Sequence, residues 1–166
     1  MTGLDLTDPA IRPAWHLAQR LHAGQIDKGG VPYLGHLERV ARRLVALFPD
    51  AGPAEIQAAL LHDAIEDTAA TAEMLRAAGI APEAVAMVER LTRDRAVPYL
   101  DWIRALAASG DRGALRVKLA DNLDNSDPAR PAIPGGAAML RDRYLPARAI
   151  LERALGRAAD RGGAAG

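Results

Sequence analysis

The chain has 166 residues, with 21 lysines and arginines balanced by 21 aspartates and glutamates, and it contains no cysteine. That length suits one domain with a sizeable core, the zero net charge excludes a broad basic footprint for duplex nucleic acid, and the missing thiols exclude disulfides, zinc–thiolate sites and cysteine nucleophiles. Met1–Pro9 is acidic without an apolar h-region and no apolar run reaches bilayer-spanning length, so the expectation is a soluble cytoplasmic protein with no signal peptide and no membrane partner.

Alanine and leucine dominate and clusters of β-branched residues are scarce, which favours helix almost throughout. A first helix is predicted after Asp8-Pro9, with Asp8 as cap, carrying Ile11, Trp15, Leu17, Ala18 and Leu21 to Gly24. The turn-rich Asp27-Lys28-Gly29-Gly30-Val31-Pro32 leads into a second helix from Tyr33 to Phe48, ended by Pro49. Pro53 opens a third, predicted to run unbroken to Thr68. Shorter helices follow over 71–78 and 82–91, then Val97–Ala108 and Arg112–Asn125. Ser126 to Gly136 reads as a loop with three prolines, and a last helix from Ala137 to about Arg157 is predicted to kink or split at Pro146. The tail 158–166 is Gly/Ala-rich and is predicted to be disordered, leaving 1–157 as one all-α domain.

Within the apolar third helix stand His62 and Asp63, followed one turn later by Glu66 and Asp67. Buried polar groups of this kind need pairing or coordination. At about 100° per residue, His62, Glu66, Asp63 and Asp67 share an arc about 140° wide. A salt-bridge network, or an arc facing solvent, would account for that arc alone. His36 lies on the stripe of Val40 and Leu44, where a lone histidine is usually a hydrogen-bonded core residue. Asp121 shares a helical face with Val117 and Asn125, with Lys118 close by. Two histidines and two aspartates from three helices make an N2O2 set suited to one first-row divalent ion.

The order His36, His62-Asp63, Asp121 resembles the H…HD…D pattern of HD-domain phosphohydrolases. Leu21-His22-Ala23-Gly24-Gln25 with Lys28-Gly29 and Pro32-Tyr33-Leu34-Gly35-His36, Ala59–Thr68, and Val117–Asn122 with Asn125 are similar to three motifs of the RelA/SpoT-type alarmone hydrolases. The resemblance covers most of residues 10–150. It implies an all-α, HD-type helical bundle around one metal site, in a small member with a hydrolase domain and no synthetase domain.

By that resemblance, His36, His62, Asp63 and Asp121 hold one divalent ion, usually manganese. Glu66 and Asp67 are the candidate catalytic carboxylates that prepare the attacking water. The implied reaction removes the 3′-pyrophosphate from (p)ppGpp-like nucleotides. Lys28, Asn125, Arg141 and Tyr144 are the candidate substrate contacts, Asn125 at a position that touches ribose. Tyr144 has core packing as an equal alternative, and His22 and His16 read as structural or surface residues. The family commonly has an arginine before the lysine, stacked on guanine, where this chain has Asp27. An acidic residue cannot make that contact and would repel phosphate, so adenine equivalents, NADPH-like ribose phosphates and 5′-mononucleotides stand as alternative substrates, with a weakly catalytic nucleotide-binding domain as a third reading. The alanine-rich surfaces are compatible with a homodimer.

Overall fold

The computed structural model describes residues 3–156, and the tail expected to be disordered lies outside them. The helices are α1 (Arg12–Leu21), α2 (Leu34–Leu47), α3 (Pro53–Leu61), α4 (Ala64–Asp67), α5 (Ala72–Ala77), α6 (Pro82–Leu91), α7 (Tyr99–Ala108), α8 (Arg112–Asn125), α9 (Gly136–Met139) and α10 (Leu145–Ala154). A π-helical turn, Leu140–Tyr144, joins the last two. No β-strand occurs among the described residues; a single bridge pairs Ile26 with Pro32.

The leucine- and alanine-rich stripes explain the packing. Leu37, Val40, Ala41 and Leu44 of α2 meet Ala58, Leu60 and Leu61 of α3 and Leu115, Val117 and Leu119 of α8, all buried. Burying each such leucine contributes about 2 kcal/mol. Around this centre, α1 and α6 pack on α3, and α10 packs on α7 and α8. The first turn of α8 lies so close to α6 that a Cβ at Gly113 would come within 2.5 Å of Met87 Sδ. Asp111 caps α8 by accepting from the Ala114 N–H at 3.0 Å.

Four departures from the predicted elements have identifiable causes. The first helix begins at Arg12, because Asp8 instead caps a separate turn, its carboxylate accepting from Ala10 N–H at 2.8 Å. The seventh helix begins at Tyr99, not Val97, since Pro98 forces the preceding residue out of the helical region. Pro146 falls in the first turn of α10, and the chain before it widens into the π-helical turn, because proline has no N–H for the carbonyl one turn earlier. The predicted helix from Pro53 to Thr68 is broken at His62-Asp63, where Asp63 leaves the helical region at φ −101°, ψ 2°.

Candidate metal centre and substrate cavity

That break is what lets two adjacent residues face one point. On a straight helix their side chains would diverge by about 100°. Here His62 Nε2 and Asp63 Oδ2 lie 3.0 Å apart. From α2, His36 Nε2 reaches within 3.9 Å of Asp63 Oδ2 and 3.2 Å of Asp121 Oδ1. Asp121 Oδ1, from α8, is 3.5 Å from His62 Nε2. The structure thus brings together all four predicted ligands, three of them (His36, His62 and Asp121) buried and with ligand atoms within 4.8 Å of one another.

Each imidazole is turned by a hydrogen bond at its far nitrogen. His62 Nδ1 lies 2.8 Å from the Ala59 carbonyl, which can only accept, so Nδ1 donates. His36 Nδ1 lies 2.8 Å from the carboxylate of Asp124, which is fully buried. Both Nε2 atoms therefore face the carboxylates, where each offers a lone pair once its proton is lost. His62 Nε2 is buried and makes no hydrogen bond. An orphaned imidazole nitrogen among carboxylate oxygens is a donor set for a divalent cation, and the second-sphere bonds on Nδ1 are those that metal-binding histidines use.

The charge balance agrees. Burial disfavours protonation of His36 and His62, yet the surrounding aspartates outweigh it and hold both above the ordinary histidine range. Burial would likewise raise Asp63 and Asp121, but the imidazoles, and for Asp121 the Lys118 ammonium, keep both carboxyls below the usual range. The centre draws in positive charge. Tyr33 donates its hydroxyl to Asp63 Oδ2, while Lys118 Nζ and Asn125 Nδ2 each donate to Asp121 at 2.6 Å.

Glu66 and Asp67 follow on α4. Burial, then the charge of Asp63, raises both carboxyls above their usual range. Asp67 lies 3.5 Å from Arg95 and lines a cavity of about 630 Å³ beside the centre. Lys28, Tyr33, Asn125 and Tyr144 line the same cavity, whose apolar wall includes Ile26, Ile133, Met139 and Leu140. Arg141 is outside it: exposed, the side chain pairs with Asp142 at 2.7 Å. Asn125, expected to touch ribose, has its amide nitrogen on Asp121 and its amide oxygen on Arg130. His22 is buried, hydrogen-bonded to Gln25 at 2.7 Å and stacked on Tyr33, and His16 is exposed.

Asp27 does not confront the cavity as a free negative charge. It accepts from the Gly29 and Val31 N–H groups and from Arg130 Nη2 at 2.8 Å. Those bonds hold its carboxyl below the usual range despite burial, and the expected repulsion of phosphate is neutralised by Arg130. Arg130 was not legible beforehand, because it sits in an irregular loop with no periodicity. Asp124 and Tyr33 were also missed as site residues. For Asp124 a signal existed: it stands three residues after Asp121, facing the α2 residues His36, Arg39 and Arg43.

Residues 14–129 match the HD domain family. Over 131 residues, 72% of this chain, it is 36% identical to a guanosine-3′,5′-bis(diphosphate) 3′-pyrophosphohydrolase of Vibrio cholerae, of which it covers 18%. It is 34% identical over 122 residues, 69% of the chain, to a GTP pyrophosphokinase of Streptomyces coelicolor, covering 14% of that protein. The chain therefore spans less than a fifth of the length of these curated relatives. A solved structure, described as a metazoan ortholog of SpoT that hydrolyzes ppGpp, superposes with a TM-score of 0.74 at 24% identity, covering 95% of this chain and 92% of that one. The match across most of the helical core, together with the paired histidines and aspartates at its centre, makes this chain a member of the HD domain family.

Proposed function

We propose that the chain is a metal-dependent phosphohydrolase that removes the 3′-pyrophosphate from (p)ppGpp-like nucleotides, giving GDP or GTP, or the adenine equivalents, and pyrophosphate. The observation that carries it is the meeting of His36, His62, Asp63 and Asp121 at one point beside two carboxylates of raised pKa and a nucleotide-sized cavity. The names of the Vibrio relative and of the metazoan structure support the substrate class. Manganese is the proposed ion, since two carboxylates and two imidazoles suit it.

The ion supplies, when bound, a Lewis acid for water and phosphate oxygens. The protein supplies the rest. Glu66, raised by burial, takes the proton from the attacking water. Asp67, at the cavity wall, orients that water and supports the departing ribose 3′-oxygen, which receives the proton taken up by Glu66 as the P–O bond breaks. Tyr33 and Lys118 hold Asp63 and Asp121 in place. Lys28 places a cation at the cavity mouth for substrate phosphate, and Tyr144 and Asn125 border the nucleoside. The apolar wall and the neutralised Asp27 favour a base held by packing, which leaves adenine as well as guanine acceptable.

The test is a panel: protein with manganese is offered ppGpp, ppApp, NADPH and 5′-mononucleotides, with products separated chromatographically. Pyrophosphate release from an alarmone, abolished by Asp63→Ala, is the expected result. Failure to cleave either alarmone while metal is bound would overturn the proposal.

A further inference from the structure

A second charged feature gathers around Tyr99, near both Glu66 and the Tyr144 wall of the cavity. The Tyr99 ring has three cations around it: Arg143 Cζ at 4.4 Å from its centroid, Lys118 Nζ at 5.8 Å and Arg93 Cζ at 6.0 Å. They come from three separate segments, the π-helical turn, α8 and the loop after α6. Lys118 also lies 5.0 Å from the Trp102 ring and reaches Asp121, a residue of the metal centre, at 2.6 Å. Among the described residues, neither Arg93 nor Arg143 forms an ion pair; Arg93 donates only to the Val97 carbonyl at 2.9 Å. This contrasts with Arg141, which the sequence singled out and which is engaged by Asp142.

Gathering like charges costs energy unless something opposes them. Asp121 opposes Lys118, but a cation over an aromatic face recovers only about 0.5–1 kcal/mol at an exposed site, which does not explain the two guanidiniums beside it. The cluster is electrostatically joined to the chemistry: Lys118 and Arg93 both act on the Glu66 carboxyl, and Arg143, Lys118 and Asp121 all act on the Tyr144 hydroxyl. Lys118, 2.6 Å from Asp121, is the contact that ties the cluster to the metal centre.

We propose that Arg93 and Arg143, with Lys118 at the inner end, form a diphosphate-binding site around Tyr99. Resting on the phosphohydrolase reading above, this assigns the cluster a diphosphate of the substrate, either the leaving 3′-pyrophosphate or a 5′-diphosphate. Guanidinium groups without a carboxylate partner present their paired N–H donors to phosphate oxygens, and both lie within 6.0 Å of the same Tyr99 ring.

The deciding measurement is calorimetric titration of inorganic pyrophosphate, at fixed manganese, into the wild type and the Arg93→Gln/Arg143→Gln variant. Affinity falls at least about ten-fold in the variant, as expected for lost charge-assisted bonds, while binding of manganese and of adenosine or guanosine is unchanged. An Arg93→Lys/Arg143→Lys variant, which keeps both charges, recovers much of the affinity and shows that the loss is not a folding defect. Equal pyrophosphate affinity in wild type and variant, or an equal loss of nucleoside binding, overturns the inference. KM values for 3′-pyrophosphorylated nucleosides with a 5′-hydroxyl or a 5′-diphosphate separate the two sources. A rise for both assigns the leaving group, a rise for the second alone assigns the 5′-diphosphate, and no rise for either counts against the site. Should the wild type cleave no 3′-pyrophosphate, the functional proposal fails while the pyrophosphate titration still decides this one.

Discussion

Asp124 and His36, 88 residues apart in sequence, share a hydrogen bond of 2.8 Å in the interior between α8 and α2. The same carboxylate accepts from Arg39 Nε at 2.9 Å and Arg39 Nη2 at 3.1 Å, and from Arg43 Nε at 3.3 Å. Its two oxygens thus fix the His36 ring, with Nε2 toward the other candidate ligands, and neutralise Arg39 and Arg43 of the same helix together with Arg130 of the loop after α8, at 3.4 Å.

Replacing Asp124 therefore acts on the metal without touching it. Asp124→Asn is expected to weaken manganese affinity about 10–100-fold, as loss of a second-sphere partner does. Losing the carboxylate charge beside Arg39 and Arg43 also costs stability, about 1 kcal/mol, since both guanidiniums are partly exposed and Arg43 keeps Asp127. Titration of manganese and thermal melting read the two effects separately. Unaltered affinity in a folded variant would show that Asp124 serves packing alone.

Proton release should accompany metal binding. His36 and His62 have folded pKa values above the unfolded value of 6.5, because the aspartates outweigh burial. Protonated imidazoles among carboxylates stabilise the metal-free protein below that value, and the contribution is lost as pH rises through the higher folded values. A metal ion takes the place of those protons. Titrations in buffers of different ionisation enthalpy should show protons released near neutral pH, and metal-free protein should lose stability from pH 6.5 upward relative to the loaded form. Proton-neutral binding would contradict this assignment.

Glu66→Gln keeps the shape of the site and removes the proton acceptor. The expected loss is about 10²–10⁴-fold in kcat, the range attributed to a general base, with metal affinity little changed. In the wild type, the raised Glu66 carboxyl places the acid limb of the kcat profile above the ordinary glutamate range, since the base works only when ionised. A drop in KM alone, with kcat preserved, would remove Glu66 from the chemistry.

Asp27 and Arg130 join the loop before α2 to the loop after α8, 103 residues apart. Breaking the pair from either side leaves a charge at the cavity. Asp27→Asn and Arg130→Gln should each raise KM more than they lower kcat, and the double variant should lose less than the sum of the single ones. Strict additivity would mean that the two residues act independently.

The helical fold could be read from composition and apolar periodicity, and α6 and α8 fall at their predicted bounds because proline, glycine and an aspartate cap mark their ends. Val97, helical by periodicity, stays outside α7 because Pro98 pushes its predecessor out of the helical region. The break at His62-Asp63 was invisible to periodicity, since the flanking residues keep a helical pattern on either side. At the break, the Asp63 carboxylate is held by Tyr33 from the segment before α2.

The sequence by itself determined the helical element types and pointed to the four candidate metal ligands, because the first depend on local propensity and the second on residue chemistry in a motif. Tertiary structure decided the rest. Whether Asp27 stands as a free charge depends on Arg130, the orientation of His36 depends on Asp124, and which arginine of the last segment lies over Tyr99 depends on the π-helical turn. Each of these is a charge or hydrogen bond supplied by a distant segment, and only packing α2, α3 and α8 together brings such partners within a few ångströms.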